Sequence, residues 1–278
     1  MSMYAMIQAP DLAVLSHNLD DSLDPPAWQA GSYNPLTEVS YDGAIWKALE
    51  ETSSEPGADL SWKFISSINF NRMLEDVVIT RTKATSEDGS IELTFRGSGN
   101  FLTLMGLRAD FVTINGVQQD LSVPVNDMWQ YYANPIETKE EVFSDVVLRD
   151  EIHVVIERVS SPAELGKLFL GREFYMGELQ YDPRQRMTDY SLLERDAEFG
   201  YVINQQQRGF TRDIEGELRY PVDDASRQFS QLANLRSRPA LFINKTLNLL
   251  TYGALRQIEW QASKGPRSIF TFYIEGYV

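Results

Sequence analysis

The chain's 278 residues suffice for two or three compact units, and 43% hydrophobic with 23% charged residues is the composition of an ordinary globular protein. Cysteine is absent, which excludes disulfides, thiolate metal ligands and a cysteine nucleophile, and no run of about 18 apolar residues offers a membrane-spanning helix. The net charge of −15, with ten acidic and two basic side chains in residues 1–65 alone, argues against nucleic-acid phosphates as partners.

Residues 1–27 are expected to form an extended N-terminal arm or linker. They are punctuated by Asp, Ser and Pro and end in Asp24-Pro25-Pro26, where Pro-Pro imposes polyproline geometry and blocks a helix. The apolar Met3, Tyr4, Met6, Ile7, Leu12, Val14 and Leu15 suit such an arm to lie on a neighbouring subunit. The opening residues have neither a basic segment nor a clean apolar stretch and read as a poor secretory signal.

Residues 28–65 read as a small aromatic-rich β module, with a Tyr41-Asp42-Gly43 turn, a short apolar strand beyond it and a Pro56-Gly57 turn. Residues 66–187 are expected to form an antiparallel β-sandwich. Strands are predicted over Val77–Arg81, Ser90–Phe95, Phe111–Ile114, Glu151–Val159 (paired with Asp145–Leu148) and Leu165–Gly171, with turns at Ser86–Gly89 and Asn115-Gly116. Residues 188–278 are expected to be β-rich with one helix. A hairpin of Phe199–Asn204 and Arg208–Tyr220 is joined by Gln205–Gln207. A helix over 223–238 follows, with Asp223 or Asp224 as N-cap and Phe229, Leu232 and Leu235 on one face. Strands Ala240–Ile243, Leu247–Tyr252, Arg256–Ala262 and Ser268–Glu275 complete a mainly β chain.

Catalytic signals are sparse. The two histidines, His17 and His153, are far apart in sequence, and His153 alternates with apolar residues as a strand-face residue does. Gly97-Ser98-Gly99 has no third glycine or following helix, so it is no dinucleotide loop. Asp182, Asp189, Glu194, Asp196 and Glu198 share one segment from which a glycosidase could draw an acid–base pair, although turn-forming surface explains them equally. No catalytic residue, metal ligand set or cofactor is therefore expected.

Trp28, Tyr33, Tyr41, Trp46 and Trp62 carry more information. In so small a module, large rings supply the most buried area per side chain, so at least three of the five are expected in its core. Exposed in a row, the same rings would form a stacking platform for sugars, which makes these five the candidate carbohydrate-binding residues.

The module resembles the small carbohydrate-binding modules of bacterial chitinases and cellulases. Their order of an N-terminal Trp, a Tyr, Val-x-Tyr-x-Gly, an Ile-Tyr-x-Ala strand, a Pro-Gly turn and a closing Trp is met here by Trp28, Tyr33, Val39–Gly43, Ile45-Trp46-Lys47-Ala48, Pro56-Gly57 and Trp62. The chain departs from them after Ala48, with Leu49-Glu50-Glu51-Thr52 where chitin-binding members carry exposed aromatics. The larger region is similar to bacteriophage tail-associated structural proteins at Asn100–Ile114, at Thr188–Ser191 with Glu198-Phe199-Gly200, and at Ile269–Val278. Together the resemblances imply a non-enzymatic structural protein of a phage virion, in the tail or baseplate region. Its partners would be other tail or baseplate proteins and further copies of itself. The alternative they imply is a carbohydrate-binding adhesin recognising a host-envelope glycan, which an exposed aromatic row in the module would favour. A cell-wall glycosidase using Glu194 or Asp196 is the third reading.

Overall fold

The computed structural model describes residues 2–76, 78, 80–86, 88–121, 141–145, 151–159, 161–180, 183–190, 192–195, 202–206, 210–236, 238–244, 246, 247, 249–261 and 266–277. The chain is mainly β, with several antiparallel sheets and one α-helix among the described residues. It divides into a terminal unit (residues 1–9, 99–101 and 171–278) and a central unit (residues 10–98 and 102–170).

The terminal unit is built on strand Ser2–Gln8. This strand pairs antiparallel with residues 171–178 of strand Lys167–Leu179 on one side and with Pro239–Asn244 on the other. The order continues through Leu249–Gln261, Arg267–Gly276 and Phe210–Pro221. Leu218 and Arg219 then pair back with Leu179 and Glu178, so six strands close on themselves. Closure leaves no free edge within this cycle. Strand Arg184–Asp189 lies alongside Phe210–Pro221 as a branch. Met3, Ala5, Met176, Ile214, Leu218, Phe242, Phe270, Phe272 and Ile274 fill one core cluster, because alternate residues of each strand face it.

The helix Val222–Ala233 adds Ala225 and Leu232 to that core. It begins at Pro221, whose side chain makes no capping hydrogen bond. The expected caps Asp223 and Asp224 instead occupy the first turn, where carboxylates complement the helix dipole. It ends at Ala233 rather than 238. Pro239 disfavours helical backbone at the residue before it, and Arg236 already bridges to Leu255.

Several expectations are corrected here. The predicted arm is not an arm: Ser2–Gln8 is a strand with Met3, Ala5 and Met6 fully buried, and Ala13–His17 pairs with Ile91–Arg96 in the central unit. Phe210–Pro221 does not form a hairpin with Phe199–Asn204. Val202–Gln206 is itself a strand, containing Gln205 and Gln206, and pairs with Leu192–Arg195. Residues 199–201 and 207–209 lie outside the described residues. Leu247–Tyr252 and Arg256–Ala262 are one strand, Leu249–Gln261, with a bulge between Leu255 and Gln257 that absorbs the break in alternation.

The central unit holds a five-stranded sheet in the order Val117–Asp120, Phe111–Ile114, Ile152–Glu157, Ile91–Arg96, Ala13–His17. Ile91, Leu93 and Phe95 alternate with outward residues, as do Ile152, Val154 and Ile156, and both triplets are buried. Asn115 (φ 49°) and Gly116 (φ 82°) make the tight turn that joins the first two strands of that order. Ile152–Glu157 pairs with Ile91–Arg96 and Phe111–Ile114, not with Asp145–Leu148. Of the latter, Asp145 ends strand Glu141–Asp145, which neighbours Phe101–Met105, and 146–148 lie outside the described residues. Val78, Thr80 and Arg81 are not in a strand, and residues 77 and 79 lie outside the described residues.

The small module belongs to this unit as a three-stranded sheet of Glu38–Tyr41, Ala44–Ala48 and Trp62–Ser67. Asp42 (φ 48°) and Gly43 (φ 72°) form its first turn. Its entry is fixed by Ser40, which bonds to Pro26 and Trp28 through the backbone. Its exit is fixed by Asn69, fully buried, whose amide side chain donates to Lys83 O and accepts from Lys83 N, while Thr82 Oγ1 donates to Asn69 O. A buried amide satisfied on both sides holds one backbone arrangement against alternatives.

Candidate functional site

The five aromatic candidates come together in the small module, but they are turned towards one another. Residues 39, 46, 48 and 62 share one sheet face by register, and Val39, Ala48 and Trp62 form a buried cluster against which Trp28, Tyr33 and Trp46 pack. Trp28 meets Tyr41 edge to face at 5.5 Å, and Tyr33 meets Trp62 in the same way at 5.5 Å. Edge-to-face pairs of this kind add about 0.5–1.5 kcal/mol each beyond area burial. The Tyr33 hydroxyl donates to Gln29 O at 2.7 Å and accepts from Gln29 N at 2.9 Å, so its polar end is committed to a loop.

Trp46 is enclosed differently. The turn at Gly57 (φ 84°) lies on its ring so closely that a Cβ there would sit 3.3 Å from Trp46 Cη2, and Phe64 approaches edge-on at 5.8 Å. Phe64 is 51% exposed and was missed by sequence reasoning, although its place two residues after Trp62 puts it on the same sheet face. Trp62 is buried, and Trp28, Tyr33, Tyr41 and Trp46 are half-buried. None of the five stands as a freely exposed ring, so they do not make an open stacking row.

The indole nitrogens separate core roles further. Trp62 Nε1 donates to Ser54 O at 3.0 Å, whereas Nε1 of Trp28 and of Trp46 is buried without a hydrogen-bond partner among the described residues. Trp62→Phe is expected to destabilise the module by about 2–3 kcal/mol, since it removes volume and strands a carbonyl. Trp46→Phe is expected to cost about 1 kcal/mol or less, because deleting an unpaired donor offsets the lost volume. Urea denaturation of both variants, followed by tryptophan fluorescence, checks the order; equal costs would contradict it.

A second site lies on the terminal unit, on the strand faces opposite the core. Arg184, Glu215, Tyr273 and Gln257 stand in register across four strands, and Glu217, Thr271 and Glu259 form a parallel row. All but Glu259 line a cleft of about 670 Å³ that Gln180 also borders. Arg184 pairs with Glu215 at 3.5 Å, and the Tyr273 hydroxyl donates to Asp213 at 3.2 Å. Burial and the Asp213 carboxylate push the Tyr273 phenol above its ordinary range, which leaves it a neutral donor.

The remaining titratable candidates lie apart from these two places or outside the described residues. His17 stacks on Phe70 at 4.4 Å with Nδ1 3.1 Å from Leu19 O, and His153 is exposed on its strand. Lys167 is buried with Nζ 3.0 Å from Asp76; burial pushes its ammonium down while Asp76 opposes that shift. Among the described residues no three His, Asp or Glu side chains gather as a metal site would require. Asp182, Asp196, Glu198 and the side chain of Glu194 lie outside the described residues, and Asp189 stands opposite Phe210 at a strand end. Neither the protein-family models nor the curated proteins compared with the chain give a match.

Proposed function

We propose that the chain is a non-enzymatic structural component of a phage virion, in the tail or baseplate region, assembling with other tail proteins and with copies of itself. The observation that carries this reading is where the phage-like segments fall. Asn100–Ile114 supplies strands Phe101–Met105 and Phe111–Ile114, and Ile269–Val278 supplies most of Arg267–Gly276, which runs between Leu249–Gln261 and Phe210–Pro221. Two of the three phage-like segments thus fall on framework strands, one in each unit, while of the third residues 191 and 198–200 lie outside the described residues.

The small module supports the same reading. Its aromatic residues serve its own packing, as expected of a brace or spacer, and its paired strands are tied at entry and exit. Self-assembly is the testable part. Light scattering on the purified chain is expected to give a mass several times that of one copy, shifting with concentration if the contact is weak. A single-copy mass at every concentration would count against assembly.

A further inference from the structure

The end of the small module remote from the Asp42-Gly43 turn presents three leucines to solvent: Leu36 is 70% exposed, Leu49 53% and Leu60 92%. They come from three adjacent chain segments. Leu36 N donates to Ala48 O at 2.7 Å, and Leu49 N donates to Ser61 O at 2.8 Å, so successive segments lie side by side at the spacing of a sheet.

Leu36 is held there at a cost. Thr37 N donates to Asn34 O at 3.2 Å, closing a four-residue turn with Pro35 second and Leu36 third, and Leu36 has φ 72°. Pro followed by a residue of positive φ is the pattern of a type II turn, whose third position belongs to glycine or asparagine. A bulky leucine in left-handed backbone is strained, and here the strain is spent on an exposed side chain that fills no part of the module's core. Such an outlier points to a use for the side chain outside the fold.

The surroundings restrict the partner. Glu50, Glu51 and Asp59 border the leucines, and each is fixed: Glu50 accepts from Ser61 Oγ at 2.9 Å, Glu51 from Ser32 Oγ at 3.3 Å, and Asp59 from Ser61 N at 2.9 Å. We propose that this end of the module is a docking tip for a protein surface with an apolar groove rimmed by Lys and Arg. A second copy offering the same tip would set acidic rim against acidic rim, and anionic lipid would be repelled likewise. Exposed leucines gain nothing from a purely polar partner. The inference stands apart from the virion reading, since it concerns the chemistry of the partner and not its source.

The test is fluorescence anisotropy on the full chain with three labelled synthetic peptides, of alternating Leu and Lys, Ser and Lys, and Leu and Glu. The wild type is expected to prefer the Leu/Lys peptide over both others, with affinity falling as salt rises. Leu36→Ser combined with Leu49→Ser and Leu60→Ser is expected to weaken that binding at least tenfold, while the charge is unchanged. Leu36→Gly gives a readout that a merely structural leucine would not: the melting temperature rises as the turn relaxes, yet Leu/Lys binding weakens severalfold. The proposal is overturned if the triple variant binds as the wild type does, if the wild type binds the Ser/Lys or Leu/Glu peptide equally or binds none, or if the triple variant instead dissolves a self-association.

Discussion

A chain lacking residues 2–8 is expected to lose the cooperative melting of the terminal unit altogether. Strand Ser2–Gln8 is hydrogen-bonded along both sides, to residues 171–178 and to 240–243, so its removal opens two ladders at once and breaks the closed cycle of strands. It also takes away Met3, Ala5 and Met6, each fully buried. Truncating one buried methionine to alanine costs about 2–5 kcal/mol, and a domain's whole stability is about 5–15 kcal/mol. Loss of the entire strand therefore exceeds what such a unit can absorb. Met6→Ala alone is expected to cost about 2–4 kcal/mol and to leave a folded protein. Calorimetry distinguishes the cases: a truncated chain that melts as the intact one does would mean that these residues are a dispensable arm after all.

Gly177→Ala is expected to be the most damaging single methyl group that can be added to the sheet face near Tyr220. Gly177 has φ 136°, a backbone region essentially closed to L side chains, and it lies opposite Met3 where a bulge interrupts the ladder. The close approach adds to this. A Cβ there would sit 2.6 Å from Tyr220 Cζ and 2.9 Å from its hydroxyl. The Tyr220 ring cannot easily yield, because it is buried and meets Phe270 at 4.9 Å and Tyr175 at 6.4 Å. Backbone strain and overpacking together suggest a loss on the order of 3–5 kcal/mol.

The two contributions separate in a double-mutant cycle. Tyr220→Leu removes the ring that a methyl group would strike, so Gly177→Ala should cost less in that background, and the residue of its cost is the backbone term. Tyr220→Phe should be nearly neutral, since the hydroxyl is buried without a partner among the described residues. Purely additive costs in the cycle would show that the ring contact carries nothing.

Local pattern made part of this fold readable. Ile91-Glu92-Leu93-Thr94-Phe95 and Ile152-His153-Val154-Val155-Ile156 alternate strongly enough to declare both strand and buried face, and Asn115-Gly116 declares the hairpin turn. Of the five rings, of which at least three were expected in the module's core, only Trp62 is buried; Trp28, Tyr33 and Trp46 pack against its cluster half-buried, so their gathering was legible and their depth was not. Ser2–Gln8 was not legible. Its sequence, rich in Met and Ala, has weak strand preference, and its partners lie more than 160 residues away, where no local rule reaches. The long pairing of Arg184–Asp189 with Phe210–Pro221 was hidden for a related reason, since the polar Gln205-Gln206 looks like a loop yet sits in a strand.

The candidate site divides in the same way. Residue types and order identified which rings would gather, but their orientation depends on contacts such as Gly57 on Trp46 and Gln29 on Tyr33 that spacing does not encode. The leucine tip carried no readable trace, because Pro at the second position suits a type I turn with almost any residue after it as well as a type II turn. Only the backbone angle at Leu36 gave it meaning. The cleft bordered by Gln180 needed the register of four strands, so no stretch of sequence contains it.

The central claim is that this chain is built to be part of a particle. The proposed virion role is tested most directly by immunogold labelling of intact phage particles produced by the source of this sequence, with an antibody raised against the purified chain. The account predicts gold confined to the tail or baseplate region, in a constant number per particle. Virions that stay unlabelled, and that on disruption yield none of the chain by mass spectrometry, would contradict it.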